Sequence, residues 1–167
     1  MKNIVLYGFM GCGKTTVGKR LAVLGGRPFA DMDEMIERQA GLTVNEIFER
    51  HGEREFRRRE NAVCAMLGEK QGFVIAAGGG ALLDRRNRRA LAENSVLVWL
   101  NIDEETAWRR LQGDSSRPLL TQPDKRKAMH NIFITRYPQY KSISDYIVNG
   151  EQSPDAVARE IIKELLW

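Results

Sequence analysis

Residues 8–15 read Gly-Phe-Met-Gly-Cys-Gly-Lys-Thr, which fits the pattern G-x-x-x-x-G-K-[ST] of a phosphate-binding loop, or P-loop. An apolar run of strand length, residues 3–7, precedes it. Residues 16–24 follow, with Val17 and Leu21 at helical spacing. A strand, a tight glycine turn and a helix in this order predict an α/β fold that binds phosphate. The alternative is an ordinary glycine-rich turn with an exposed lysine.

The residue types of the loop match the chemistry of a nucleotide site. Glycines let the backbone turn tightly and direct several N–H groups inward, and the helix that follows adds the positive end of its dipole. We expect Lys14 to reach the β- and γ-phosphates and Thr15 to place its hydroxyl on Mg²⁺. The loop residues expected to bind the nucleotide are Gly11, Cys12, Gly13, Lys14, Thr15 and Thr16.

Length and composition favour one folded domain over residues 1–167. Charged residues make up 29% and hydrophobic residues 43%, and no apolar run approaches the roughly 20 residues that a membrane helix needs. The first strand begins within three residues, which leaves no room for a signal peptide. Cys12 and Cys64 have neither disulfide nor zinc spacing, so a cytoplasmic location is expected. A net charge of +4 suits anionic substrates as well as nucleic acid.

Further strands and helices alternate along the chain. The predicted strands are residues 28–31, 72–77, 95–100 and 146–148. The predicted helices are residues 34–38, one that starts near Thr43 and is interrupted at Gly52, 85–92, 103–111, 125–140 with Pro138 disturbing the last turn, and one that starts at Ser153. This alternation predicts an α/β three-layer sandwich, a five-stranded parallel sheet with helices on both faces. Ligands of such sheets bind at the carboxyl ends of the strands.

Two aspartates follow the second predicted strand. Asp31 and Asp33 are two residues apart, so on an extended segment their side chains lie on the same side. One could hold Mg²⁺ through water, and the other could accept or orient a substrate hydroxyl. The alternative role, which does not exclude the first, is capping of a helix by Asp33.

Arginines and glycines form two further clusters. The side chains of residues 57–59, all arginine, point about 100° apart on a helix, so at most one or two face a cleft. The others are expected on a solvated face, paired with Glu53, Glu55 and Glu60. Residues 78–80, all glycine, either form a flexible turn or let a ligand approach the backbone closely.

Residues 112–124 are expected to form a loop of the length at which loops are usually functional. It contains Arg117, which could close over the transferring phosphoryl group as an arginine finger. The alternative is an exposed loop arginine without a role.

Together these residues resemble the shikimate kinase family over nearly the whole chain. The resemblance rests on residues 8–15, 29–33, 52–57 with Glu60, 78–80, 117–120 and 136–140. It implies a P-loop kinase of the nucleoside-monophosphate-kinase type, acting in aromatic amino-acid biosynthesis. The implied reaction transfers the γ-phosphate of ATP to the 3-hydroxyl of shikimate. The implied regions are an acceptor-binding part near residues 31–62 and a lid near 112–124.

The resemblance also implies roles for single residues. Asp31 would hold Mg²⁺ through water, beside the Thr15 hydroxyl, and Arg110 would stack on adenine. Many family members carry an arginine near Gln152, so an adenine contact by this glutamine stays open. The residues implied for catalysis are Lys14, Asp33 and Arg117. Those implied for shikimate are Asp33, Arg57, Gly78, Gly79, Gly80 and Arg136, with Asp33 orienting the hydroxyl first and accepting its proton second. No nucleic-acid or membrane partner is implied, and a monomer is expected.

Two alternative functions differ from the one that the resemblance to shikimate kinases implies. A small-molecule kinase of the same fold, such as a gluconate kinase, would not need the same pair of arginines. A nucleotide-dependent nucleic-acid-binding protein would explain the basic residues, but these are interspersed with acids and have no aromatic stacking platform. A GTPase is disfavoured because the chain lacks an Asn-Lys-x-Asp segment.

Overall fold

Parallel strands form one five-stranded sheet in the computed structural model, which describes residues 1–112 and 123–165. The strands are β1 (Asn3–Tyr7), β2 (Phe29–Asp31), β3 (Val74–Ala76), β4 (Ser95–Asn101) and β5 (Tyr146–Asn149). Their order is β2-β3-β1-β4-β5, and each neighbouring pair is parallel. The central strand β1 is buried along its whole length, which is typical of a parallel sheet covered on both faces.

Helices surround this sheet and confirm the predicted three-layer α/β fold. They are α1 (Lys14–Gly25), α2 (Met32–Ala40), α3 (Val44–Gly68), α4 (Arg85–Ala92), α5 (Glu104–Leu111), α6 (Lys125–Ile143) and α7 (Pro154–Glu164), with a 3₁₀ turn at Ala81–Leu83. Helix α1 packs against α7, and α3 packs against α2 and α4. Within the described residues, none of the helices is both long and apolar enough to cross a bilayer.

The strand order brings three loops together. Strand β3 lies between β2 and β1, with Asp31 and Leu6 both in register with Ala76. The N–H of Ala77 donates to the carbonyl of Leu6 at 2.9 Å, so the two strands end at the same level. The P-loop after β1, the aspartates after β2 and the glycines after β3 therefore share one edge of the sheet.

The aspartate segment differs from its prediction. Helix α2 begins at Met32 rather than at residue 34, so Asp33 is helical and the two aspartates do not share an extended segment. The helix cap is Asp31, whose Oδ1 accepts the N–H groups of Asp33 at 3.0 Å and Glu34 at 3.3 Å. A carboxylate at the strand end satisfies N–H groups that the first helical turn leaves free, which favours this cap.

Helix α6 also continues further than predicted. It runs through Pro138 to Ile143 rather than ending near Tyr140. A proline removes one helical hydrogen bond, but Tyr140 beyond it is only 2% exposed. The burial of this large aromatic side chain stabilises the turn that follows the proline.

The start of α3 is predicted correctly and gives a testable contribution to stability. The N–H of Glu46 donates to Thr43 Oγ1 at 3.2 Å, and the N–H of Thr43 donates to Glu46 Oε2 at 2.8 Å, which is a capping box. Thr43→Ala is expected to lower the free energy of unfolding by about 1 kcal/mol in urea titrations. Thr135→Ala in α6 is the control, because its exposed hydroxyl bonds only within the helix. Equal losses in the two variants would contradict the role of the cap.

Candidate active site

The P-loop has the backbone geometry of an anion cradle. Its glycines Gly8, Gly11 and Gly13 have positive φ angles of 149°, 78° and 89°. A Cβ on Gly8 would lie only 2.7 Å from the carbonyl oxygen of Leu100, so a side chain does not fit there. Gly13 is the cap residue of α1, and the first N–H groups of that helix have no intrahelical partner. The loop therefore directs backbone donors and the positive helix end toward one point.

Lys14 lies over this loop. Its Nζ donates to the carbonyl oxygens of Gly8 and Phe9, both at 3.1 Å, and lies 3.5 Å from Cys12 Sγ. These contacts hold the ammonium group against the loop, where it can meet phosphate oxygens.

The Thr15 hydroxyl and the Asp31 carboxylate lie side by side next to the loop. The Thr15 hydroxyl donates to Asp31 Oδ2 at 2.6 Å, and Asp31 is 8% exposed. Hydroxyl and carboxylate oxygens suit Mg²⁺, a hard cation. No group of three or more His, Cys, Asp or Glu side chains that could hold a metal occurs among the described residues. The pair thus fits a Mg²⁺ ion that takes its other ligands from nucleotide phosphates and water, as is usual for this metal.

A cleft with about 460 Å³ of empty space opens next to the P-loop. Its lining has an apolar part and a charged part. The lining residues are Met10, Asp33, Val44, Phe48, Phe56, Arg57, Glu60, Gly78, Gly79, Gly80 and Arg136. The residues that the sequence analysis assigned to the acceptor come from four separate segments of the chain. The structure brings them together in this cleft. The apolar members and Glu60 were not among them.

The glycine turn after β3 is crowded by charged side chains. A Cβ on Gly80 would lie 2.9 Å from Arg57 Nη1, and one on Gly79 would lie 3.4 Å from Arg136 Nη1. A Cβ on Gly78 would lie 3.2 Å from Asp33 Oδ1. Glycine at these positions gives the side chains room to converge on the backbone.

Arg57 is held by two glutamates. Its Nη1 lies 2.9 Å from Glu60 Oε2 and its Nη2 lies 3.1 Å from Glu53 Oε1. Burial lowers the pKa of Arg57, but the two carboxylates more than offset this and leave its pKa raised. The guanidinium therefore keeps its positive charge. Arg58 and Arg59 pair with Glu55. The Arg58 side chain is 68% exposed, as predicted for a solvated face, whereas that of Arg59 is only 26% exposed.

Glu60 is the buried carboxylate of the site, with a side chain only 1% exposed. Burial raises the pKa of Glu60, and Asp33 adds to this while Arg57 opposes it. Its Oε1 has no hydrogen-bond partner among the described residues and lies 3.0 Å from the Cβ position of Gly78. Sequence reasoning treated Glu60 as an ion-pair partner. Glu60 lies three residues after Arg57, on the helix face that also carries Val63. Because Val63 is buried, this spacing would have indicated that Glu60 is buried as well.

The comparison with known proteins identifies the family. The family model described as shikimate kinase matches residues 10–166. The chain belongs to the shikimate kinase family. The shikimate kinase of Shewanella denitrificans is 43% identical over 98% of this chain and 96% of its own length. A solved shikimate kinase from Acinetobacter baumannii, in complex with shikimate, has a TM-score of 0.95 at 37% identity and covers 99% of this chain and 93% of its own.

Membership of the shikimate kinase family confirms the predicted activity, the phosphorylation of shikimate by ATP in aromatic amino-acid biosynthesis. A gluconokinase from Sinorhizobium meliloti has a TM-score of 0.58 at 17% identity, covering 99% of this chain and 91% of its own. That likeness extends to the fold alone, so it does not support the gluconate kinase alternative.

Three residues predicted for the nucleotide side of this shikimate kinase stay predictions. Arg110 donates to the carbonyls of Gly11 at 3.0 Å and Gly150 at 3.3 Å, and so joins the P-loop to the segment before α7. Gln152 is exposed and donates to Glu160 Oε2 at 3.1 Å. Arg117 and most of the predicted lid lie outside the described residues.

Proposed function

We propose how this site transfers the γ-phosphate of ATP to the 3-hydroxyl of shikimate. The observation that carries the proposal is the shared cleft, in which Met10 of the P-loop lines the same space as Asp33, Arg57 and Arg136. The carbonyl of Gly8 in the P-loop is also 3.7 Å from the Cβ position of Gly79. A nucleotide on the loop would thus present its terminal phosphate to a molecule in the cleft.

The acceptor half of the cleft matches a small polyhydroxylated carboxylate. Arg57 and Arg136 can grip the carboxylate with paired N–H donors, a geometry that a planar guanidinium favours. The backbone of Gly79, with Gly78 and Gly80 beside it, adds donors next to both arginines. The apolar part of the cleft, which includes Phe56, covers the carbon ring.

Asp33 is placed to act on the reacting hydroxyl. It orients the 3-hydroxyl first and accepts its proton second. In the transfer, a bond forms between the 3-oxygen and the γ-phosphorus, and the bond from that phosphorus to the bridging oxygen of ADP breaks. The hydroxyl proton leaves to Asp33 and then to solvent. Lys14 and Arg117 stabilise the charge on the moving phosphoryl group, which is where most of the catalysis of such reactions arises.

The donor half is completed by the loop and its neighbours. Backbone N–H groups of the P-loop and the first turn of α1 bind phosphate oxygens. The Thr15 hydroxyl would hold Mg²⁺, with Asp31 contributing through water. When bound, the ion would neutralise charge on the β- and γ-phosphate oxygens. Arg110 stacks on adenine, with Gln152 nearby.

We further propose a monomer in the cytoplasm that needs no nucleic-acid or membrane partner. Both cysteines are free and buried, which suits a reducing compartment. Residues 1–167 would form one domain, with its acceptor-binding region near 31–62 and a lid near 112–124 that carries Arg117.

A coupled assay of ADP release tests the function. It compares shikimate, gluconate and no acceptor at the same ATP and Mg²⁺ concentrations. ADP release is expected with shikimate, and only background release with the other two. Equal rates with gluconate, or without any acceptor, would contradict the proposal.

The role of Arg57 predicts a defect confined to one substrate. Arg57→Ala is expected to raise the KM for shikimate by about 10- to 100-fold, the value of a charge-assisted hydrogen bond, and to change the KM for ATP less than twofold. Arg58→Ala is the control, because Arg58 is the next residue of the same helix and its exposed guanidinium pairs with Glu55. A thermal melt checks that Glu60, left without its partner, has not unfolded the chain. A rise in the KM for ATP alone would show that Arg57 is misassigned.

A further inference from the structure

Tyr140 touches two parts of the acceptor site, although it does not line the cleft. It lies in α6, one turn after Arg136, and its hydroxyl donates a short hydrogen bond to the carbonyl oxygen of Gly79. Arg136 approaches the same glycine, with its Nη1 at 3.4 Å and the Tyr140 hydroxyl at 3.9 Å from the Cβ position of Gly79. A tyrosine hydroxyl can donate one hydrogen bond and accept others, so it can serve both groups at once.

Aromatic packing and a hydrogen bond hold Tyr140 in place. It packs edge-on against Tyr7 at 5.8 Å between centroids and lies 6.3 Å from Trp99. The Tyr7 hydroxyl donates to the Tyr140 carbonyl at 2.9 Å. Burial raises the pKa of Tyr140 to about 12, so its hydroxyl remains protonated and remains a donor at neutral pH.

We propose that Tyr140 is a positioning residue for the shikimate carboxylate, acting through the Gly79 backbone and the Arg136 guanidinium. This inference rests on the proposed function, which assigns both groups to that carboxylate. Glycine has more backbone freedom than any other residue, and three in a row would sample many conformations. A hydroxyl bound to the Gly79 carbonyl selects one orientation of the peptide between Gly79 and Gly80. Because that peptide is planar, the direction of the Gly80 N–H is set as well.

The Tyr140 hydroxyl also lies beside Arg136, because both groups lie within 4 Å of the Cβ position of Gly79. A long arginine side chain loses much of its rotamer entropy when it is fixed. The Tyr140 hydroxyl, four residues further along the same helix, restrains the guanidinium before the acceptor arrives. Preorganisation of this kind improves binding of the acceptor more than binding of the nucleotide, because the Tyr140 hydroxyl donates to Gly79 and not to a P-loop residue.

Steady-state kinetics of Tyr140→Phe and Tyr7→Phe test this role. The second variant is a matched control, because it also removes a buried hydroxyl that donates to a backbone carbonyl in the same aromatic cluster. Tyr140→Phe is expected to raise the KM for shikimate about tenfold, the effect of about one hydrogen bond, with the KM for ATP changed less than twofold. Tyr7→Phe keeps the ring that packs against Tyr140, so it is expected to lower the melting temperature while leaving both KM values within twofold.

A double-mutant cycle gives a second readout. In an Arg136→Ala background, Tyr140→Phe is expected to have a smaller effect on the KM for shikimate, because part of its role acts through that arginine. The inference would be overturned if the KM for shikimate rose equally in Tyr140→Phe and Tyr7→Phe. It would also be overturned if the effects of Tyr140→Phe and Arg136→Ala were strictly additive and Tyr140→Phe raised the KM for ATP as much as the KM for shikimate. Failure of the proposed function would appear differently, as absent turnover of shikimate by the unaltered chain.

Discussion

Lys14→Ala is expected to lower kcat for shikimate phosphorylation by about a thousandfold, close to the upper end of what one preorganised electrostatic group contributes. The lysine ammonium lies 3.1 Å from two P-loop carbonyls, so its charge is at the loop before the reaction begins. In phosphoryl transfer the protein acts mainly through such charges and through positioning, because the transition state is loose. Alanine at the first position of α1 is a good helix former and leaves the fold intact.

The control for Lys14→Ala is Lys19→Ala. Lys19 is on the same helix but its side chain is 57% exposed and pairs with Glu34 at 3.2 Å. The turnover of this variant is expected to stay within twofold of that of the unaltered chain. Its stability is expected to be nearly unchanged, since exposed ion pairs contribute little. The coupled assay of ADP release, run at saturating ATP and shikimate, measures both variants. Near-normal turnover of Lys14→Ala would rule out its assigned role.

Asp33→Asn is expected to lower kcat by about 10²-fold or more, the usual contribution of a general base or its equivalent. Asparagine has nearly the same size, and the Asp33 N–H donates to Asp31 Oδ1 in either variant, so the backbone stays in place. What is lost is the negative charge and the ability to take a proton. The effect on the KM for shikimate is expected to be smaller, because the amide oxygen can still accept a hydrogen bond.

Glu34→Gln is the matched control for Asp33→Asn. Glu34 follows in the same helical turn, and its carboxylate pairs with Lys19 and Arg38 away from the cleft. Its kcat is expected to change less than twofold. Comparable losses in the two variants would indicate that the first turn of α2 is merely destabilised, and that Asp33 has no special role.

The P-loop was predictable because its geometry is set within a few residues. Gly13 adopts the left-handed conformation and starts α1 directly, and the capping box at Thr43 starts α3 in the same local way. Hydrogen bonds between residues three or four apart decide such features, so they can be read from spacing alone.

The prediction for Asp31 and Asp33 was wrong where two local rules competed. Spacing by two places side chains together on a strand, whereas an aspartate before a helix also caps it. The helix begins one residue after Asp31, so its carboxylate serves the Asp33 N–H and the Thr15 hydroxyl at once. The choice between the rules depended on where β2 ended beside β3, a tertiary fact.

The sequence by itself determined the elements, the phosphate loop and the chemical types of the acceptor residues. The tertiary structure decided the strand order β2-β3-β1, which places the loop from residue 8 beside the glycines from residue 78. It also decided the bond from Tyr140 to Gly79, across 61 residues of chain. The physical reason is the separation of the interacting residues along the chain. Local hydrogen bonds depend only on a few residues that are neighbours in sequence. Contacts between distant residues depend instead on how all the apolar faces are buried together.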